Sequence, residues 1–316
     1  MTLPFSPSTT AYLFPGQGSQ KVGMGQRLAQ KYPTARSTFE AADELLGFDL
    51  SRLAWEGPST ELDDTINTQP ALFVHSIAVL RVFREQYSPF KPSFVAGHSM
   101  GELSALVAAE ALSFEDGLRL VRRRGELMKR AGEENPGGMA AVLGLDIAEV
   151  ENICHQASCD IETVQIANDN CPGQTVISGT ITALGKAIEL ASAKGARRVI
   201  RLDVSIASHS HLMAACQSTF AQVLAQTTFQ DPGIPVISNV TALPLTTASQ
   251  IRADLLAQLT SRVKWSDSMK FLLSQGVHTF MELGSGNVLC GLLHRIDRTA
   301  MCFPLDSPED FDKLAL

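Results

Sequence analysis

From Thr9 to Phe14 the chain is mostly apolar, and it then breaks into the polar, glycine-rich run Pro15-Gly16-Gln17-Gly18-Ser19-Gln20. That pattern predicts a short buried strand feeding a turn. Helical spacing of apolar residues follows over Ala35 to Leu46 and again over Pro70 to Gln86. After the proline-bearing break Ser88 to Pro92, Ser93 to Ala96 reads as a second short strand and Glu102 to Ala111 as a helix. Between them stands Gly97-His98-Ser99-Met100-Gly101, so strand, sharp turn and helix are contiguous.

A different rhythm begins after Pro136-Gly137-Gly138. Met139 to Leu143 predicts a strand, Ile147 to Gln156 a helix, Thr163 to Asn168 and Gln174 to Ser178 strands, Thr182 to Lys194 a helix, and Arg198 to Val204 a strand. The order βαββαβ is that of a ferredoxin-like module. The expectation is a small inserted domain over 133–205 and a larger catalytic domain built from 1–132 and 206–316. Pro235 to Asn239 and His278 to Leu283 are further candidate strands of the large domain. Their alternation with helices predicts an α/β fold with a parallel sheet.

Composition narrows the class. The 316 residues are 45% hydrophobic and 19% charged, with mean hydropathy near zero, as in a globular protein with an ample core. No apolar stretch reaches the roughly 18 residues a bilayer demands, and Met1 to Thr10 lacks a basic region followed by an apolar run. The expected location is the cytoplasm, with no membrane partner. A net charge of -7 speaks against nucleic acid as a partner and means that an acidic protein would dock on a local basic patch. The six cysteines, at 154, 159, 171, 216, 290 and 302, form no C-x-x-C pair and lack zinc-type histidine spacing. They are expected to be reduced, packed thiols, with no metal site.

Gly97-His98-Ser99-Met100-Gly101 fits a G-x-S-x-G nucleophile elbow. Three fixed positions in five recur by chance, so the string draws its weight from the strand before it and the helix after it. The turn would raise the Ser99 oxygen to the carboxyl edge of the sheet and point the first amides of the next helix, Met100's foremost, at a developing oxyanion.

The segment after Ser113 predicts a capped helix whose apolar face carries Gly117, Leu120, Val121, Leu127, Met128 and Ala131. Arg124 falls in the middle of that face. A guanidinium aimed at a core must meet an anion or hydrogen-bond acceptors. Two readings stand: a structural ion pair with an internal carboxylate, or an anchor for a substrate carboxylate held bidentately. In Ser208-His209-Ser210-His211, either histidine is placed to serve as general base to Ser99.

Taken together, these segments resemble the malonyl-CoA:acyl-carrier-protein transacylases and the related acyltransferases of polyketide synthases. The marks are Phe14-Pro15-Gly16-Gln17-Gly18-Ser19-Gln20, the elbow extended to Glu102, Arg123-Arg124-Gly125, Ile166-Ala167-Asn168 with Asn170, Ser208-His209, Gln258-Leu259 before Trp265, and Glu282-Leu283-Gly284. The resemblance implies a hydrolase-like large domain bearing a ferredoxin-like small one, with the site in the cleft between them. It also implies Ser99 as nucleophile, His209 rather than His211 as base, and Arg124 as anchor for the malonyl carboxylate. The amides of Gln17 and Met100 would form the oxyanion hole. The backbone around Gln258 would orient His209, and His98, Ser208 and Asn168 would adjoin the substrate. Malonyl-CoA and a holo acyl carrier protein are the implied partners, the chain acting as a monomer without cofactor. Ala207, Ser285 and Arg262 depart from positions where the family often has proline, and Ile206-Ala207-Ser208-His209 also resembles the pattern of methylmalonyl-selecting domains. An acyl-thioester hydrolase and a catalytically dead carrier-binding scaffold are the alternative readings. Arg122, Arg123, Lys129, Arg130, Lys194, Arg197 and Arg198 are the candidates for carrier docking.

Overall fold

The computed structural model describes residues 5–204 and 206–314. Ser205, the last residue of the expected small domain, and the start of the Met1 to Thr10 segment lie outside the described residues.

Strands β1 (Thr10–Phe14), β2 (Phe94–Gly97), β3 (Gly137–Leu143), β4 (Val164–Cys171), β5 (Gln174–Thr180), β6 (Arg198–Arg201), β7 (Val236–Ile237), β8 (Pro244–Leu245), β9 (Thr279–Leu283) and β10 (Met301–Leu305) form two sheets. The larger has the order β10-β9-β1-β2-β7-β8 and is parallel except for the short β8 at its edge. All of β1 is buried. Tyr12 and Phe14 face one core, and Ala11 and Leu13 face another across the sheet. A continuous apolar run is what a parallel strand covered on both faces requires.

The smaller sheet, of order β4-β5-β3-β6, is antiparallel throughout. Helices Ile147–Ala157 and Ile181–Ala193 cover one of its faces through Val150, Ile153, Leu184 and Ala187. On the other face Met139, Ala167 and Val176 pack with Leu202 and Val204 and turn toward the large sheet. This is the ferredoxin-like arrangement that the alternation predicted. The strand expected over Arg198 to Val204 ends at Arg201, because after the Leu202 N–H bonds the Met139 carbonyl at 2.9 Å the chain leaves the ladder.

Helix Thr65–Tyr87 runs through the main core and is buried along most of its length. It begins five residues before the expected start at Pro70, capped by the Asp64 side chain on the Ile66 N–H. Pro70 is tolerated inside it for a visible reason. Lacking an N–H, it leaves the Ile66 carbonyl without its helical donor, and Arg122 Nη1 donates to that carbonyl instead at 3.0 Å. Arg122 belongs to helix Phe114–Glu134, which Ser113 caps by accepting the Asp116 N–H at 3.0 Å.

The expectation of reduced thiols fails for one pair of cysteines. Cys290 and Cys302 form a disulfide, with Cα atoms 5.4 Å apart, joining helix Val288–Ile296 to β10. Cys154, Cys159, Cys171 and Cys216 are free thiols. The pairing arises from a helix folding back beside an edge strand, which residue spacing alone does not reveal.

Candidate active site

Phe14 at the end of β1 lies opposite Gly97 at the end of β2 in parallel register, so the turns leaving these strands emerge side by side. One carries Gly16 and Gln17; the other carries His98, Ser99 and Met100. Ser99 has φ of 52°, a left-handed conformation that costs a residue with a Cβ about 1 kcal/mol or more. The turn is held by close backbone approach. A Cβ on Gly97 would lie 2.0 Å from Gly101 backbone atoms, and one on Gly101 would lie 2.2 Å from the Phe14 carbonyl oxygen. Asn239 braces it further: its Oδ1 accepts the Ser99 N–H at 2.7 Å and its Nδ2 donates to the Gly97 carbonyl at 2.7 Å.

Ser99 Oγ lies 2.8 Å from His209 Nε2, and His209 Nδ1 lies 2.8 Å from the Gln258 carbonyl oxygen. A carbonyl only accepts, so Nδ1 carries the proton and Nε2 turns its lone pair to the hydroxyl. Burial, and after it the Arg124 charge, pushes the His209 pKa down to about 3. The imidazole is therefore neutral at pH 7 and ready to accept the serine proton. His211 is exposed and lines a separate hollow with Glu151 and Arg262, so the histidine beside Ser99 is His209.

Arg124 is 2% exposed. Its Nη1 donates to Gln69 Oε1 at 2.8 Å, and its Nη2 donates to Gln258 Oε1 at 2.9 Å and reaches Ser99 Oγ at 3.3 Å. Burial lowers its pKa to about 10, which leaves it charged at neutral pH. No carboxylate stands within ion-pair distance of it among the described residues, whereas its helix neighbours Arg122 and Arg123 both pair with Glu126. The internal ion pair considered from the sequence is absent, and the guanidinium faces the serine with bonding capacity to spare.

The cleft is a cavity of about 450 Å³. One wall comes from turns at the ends of the large sheet's strands, a loop and helix Phe114–Glu134, with Gln17, Ser99, Met100, His209 and Arg124; the other comes from the small sheet and the chain just after β6, with Met139, Asn168, Val176 and Leu202. Neither the Gln17 nor the Met100 N–H has a backbone acceptor among the described residues, so both are free to donate into it. The chain from residue 11 to residue 295 matches the acyl transferase domain model.

The chain belongs to the acyl transferase family.

Its relatives include the malonyl CoA-acyl carrier protein transacylase of Bacillus subtilis, 45% identical over 96% of this chain and 96% of the relative. The solved malonyl CoA-acyl carrier protein transacylase of Coxiella burnetii superposes with a TM-score of 0.94 at 40% identity, covering 99% of this chain and 98% of that one. A malonyl transacylase solved with its type II polyketide synthase acyl-carrier protein gives a TM-score of 0.94 at 39% identity, covering 97% of this chain and 99% of that one.

In this acyl transferase every site residue expected from the sequence reaches the cleft or its supporting network. Ser208 and Asn168 line the cavity. Gln258 does more than expected, holding His209 with its backbone and Arg124 with its side chain. His98 bonds Asn170 Oδ1 at 2.8 Å through Nε2, and its ring stands 5.3 Å from that of Trp265. Gln69, Asn239 and the inward role of Glu102 escaped the sequence reading. Gln69 left no signal, because it ends the polar run Asn67-Thr68-Gln69 just before Pro70. The expected basic patch is mostly neutralised: Lys129 pairs with Asp64, Arg130 with Glu134 and Lys194 with Glu149. Arg197 and Arg198 are exposed, without an ion pair among the described residues, and Arg198 lies on the edge strand β6.

Proposed function

We propose that this acyl transferase is a malonyl-CoA:acyl-carrier-protein S-malonyltransferase working by double displacement. The observation that carries the acyl specificity is Arg124, a buried cation without a carboxylate partner among the described residues, 3.3 Å from the nucleophile oxygen. A malonyl thioester whose carbonyl carbon sits at Ser99 Oγ would place its free carboxylate against that guanidinium.

In the first half of the cycle His209 Nε2 takes the Ser99 proton as Oγ attacks the thioester carbonyl. The Gln17 and Met100 amides receive the negative charge that develops on oxygen. Collapse breaks the C–S bond, and His209 returns its proton to the departing CoA thiolate. The Gln258 carbonyl holds the imidazolium that forms transiently, in place of a carboxylate. The second half runs the same steps in reverse, with the pantetheine thiol of the carrier as nucleophile and the Ser99 oxygen as leaving group. No metal or redox cofactor enters the scheme.

Both walls of the cleft come from one chain, which supports action as a monomer. The cytoplasmic location expected from the sequence belongs to the same reading; no helix among the described residues is long and apolar enough to cross a membrane. The pathway served is fatty-acid or polyketide assembly, and methylmalonyl-CoA is the competing donor to include in any assay.

Intact-mass measurement after brief exposure to malonyl-CoA, followed by peptide mapping, tests the reading. The expected result is a malonyl ester on Ser99 that moves to holo carrier protein and survives in buffer. An adduct that water clears as fast as the carrier does would make the chain a hydrolase, and no adduct with any acyl-CoA would make it a scaffold.

A further inference from the structure

Behind the nucleophile turn lie two buried carboxyl groups that the scheme above does not use. Glu102, the second residue of helix Gly101–Ala108, is wholly buried, and Asp254 of helix Ala248–Gln258 is nearly so. The two carboxyls lie close enough that a proton on either one would bridge them. As ionised groups each would leave one oxygen unpartnered, Glu102 Oε1 and Asp254 Oδ2. Two ionised carboxylates in contact would repel each other at a buried site. One proton between them removes the repulsion and satisfies both oxygens.

Burial raises the pKa of both carboxyls, that of Glu102 well above the usual range, and the surrounding bonds accommodate a proton on Glu102. Asp254 Oδ1 accepts the hydroxyl of Ser238, a favourable setting for an anion. Glu102 Oε2 accepts Gln258 Nε2 at 2.8 Å and the Asn239 N–H at 3.4 Å, while burial holds its carboxyl well above the usual range. A neutral Glu102 donating from Oε1 to Asp254 Oδ2, with Oε2 as a carbonyl acceptor, uses every atom.

Glu102 Oε2 then sets the orientation of the Gln258 amide. With Nε2 committed to Glu102, and to the Ser99 carbonyl at 3.2 Å, Gln258 Oε1 is left for Arg124 Nη2 at 2.9 Å. The flipped amide would turn an NH2 group toward a guanidinium, donor against donor. Asp254 stands one helical turn before Gln258 on the same face, so a single helix carries two links of this chain of bonds.

We propose that Glu102 is a positioning residue for acyl selection: sharing one proton with Asp254, it fixes the Gln258 amide and, through that amide, the aim of Arg124 at the acyl carboxylate. The inference rests on the proposed malonyl transfer, and Arg124→Ala is the control that separates the two. If Arg124→Ala keeps the preference for malonyl-CoA over acetyl-CoA, the reading of the anchor fails, whatever Glu102 does.

The test is the ratio of kcat/KM for malonyl-CoA to that for acetyl-CoA in Glu102→Gln and Glu102→Ala. Glutamine reproduces a neutral carboxyl, with NH2 donating to Asp254 and its oxygen accepting from Gln258, so it keeps the ratio. Alanine cuts the chain of bonds and lowers the ratio about tenfold, as expected for one buried hydrogen bond. A merely structural role would lower both substrates alike in Glu102→Ala and leave the ratio unchanged, which overturns the proposal, as does equal damage from glutamine and alanine. Should Glu102→Ala not fold, Gln258→Leu severs the same chain at its next link, and an unchanged ratio there is equally fatal. Independently, the infrared difference spectrum of wild type minus Glu102→Gln at neutral pH should contain the carbonyl stretch of a protonated carboxylic acid; its absence removes the shared proton from the account.

Discussion

A guanidinium held by two neutral amide oxygens and one hydroxyl has given up its hydration without receiving an opposite charge. The missing charge belongs to the substrate, and this defines the first prediction. Arg124→Ala should lower kcat/KM for malonyl-CoA roughly 10²-fold, the worth of one or two charge-assisted bonds, and leave acylation by acetyl-CoA unchanged or faster; steady-state kinetics with both donors checks it. His209 gives the second. Its pKa is lowered, to about 3, so protonation that would disable the base is deferred to strong acid. The rate of Ser99 acylation should be level from about pH 5 to about pH 8, where an unperturbed histidine would give an inflection near 6.5. Rapid-quench acylation across that range measures it. Ser99 and Arg124 were legible in the sequence because each broke a local rule, a serine between glycines and a cation on an apolar face; a histidine beyond a strand was legible too, but only the family resemblance separated His209 from His211. Asn239 and Glu102 broke none. A polar residue beside a short strand and an acid at a helix start are ordinary, and only folding brings Asn239 to the Ser99 turn and Glu102 to Gln258.

Elements place these residues through backbone contact. The turn after β2 fits under the end of β1 only because Gly97 and Gly101 lack side chains. Gly97→Ala should therefore forbid the elbow: we expect a loss of several kcal/mol, read as a collapse in denaturant midpoint or in soluble yield, since a Cβ 2.0 Å from backbone atoms has nowhere to move. Wild-type stability in that variant would refute the close-packing account of the turn. Most elements were visible in the periodicity of apolar residues, and the small sheet was visible in its strand and helix order. The errors fall where a tertiary partner replaces a local rule. Proline reads as a helix start, yet Arg122 supplies the donor that lets the helix Thr65–Tyr87 run through Pro70. Apolar residues at 202 and 204 read as a continuing strand, yet they line the cleft instead. Nothing local foretold the Cys290–Cys302 pair.

At the scale of the whole molecule the small sheet serves as the second wall of the cleft, and its open edge is β6. Arg198 on that edge and Arg197 just before it are exposed and free of ion pairs among the described residues, in a chain of net charge -7. Reversing both to glutamate should raise KM for the carrier protein several-fold, with the effect fading at high salt, while malonylation of Ser99 by malonyl-CoA stays unchanged. Equal carrier kinetics before and after reversal would place the docking surface elsewhere. The absent counter-charge of Arg124 also has a bearing on the order of events. Before acylation the pocket holds an unmatched cation, and after it the bound malonyl group supplies the anion, so the protein alternates between two charge states as it turns over. Free malonate should compete with the donor, which meets the first state, and scarcely with the carrier, which meets the second.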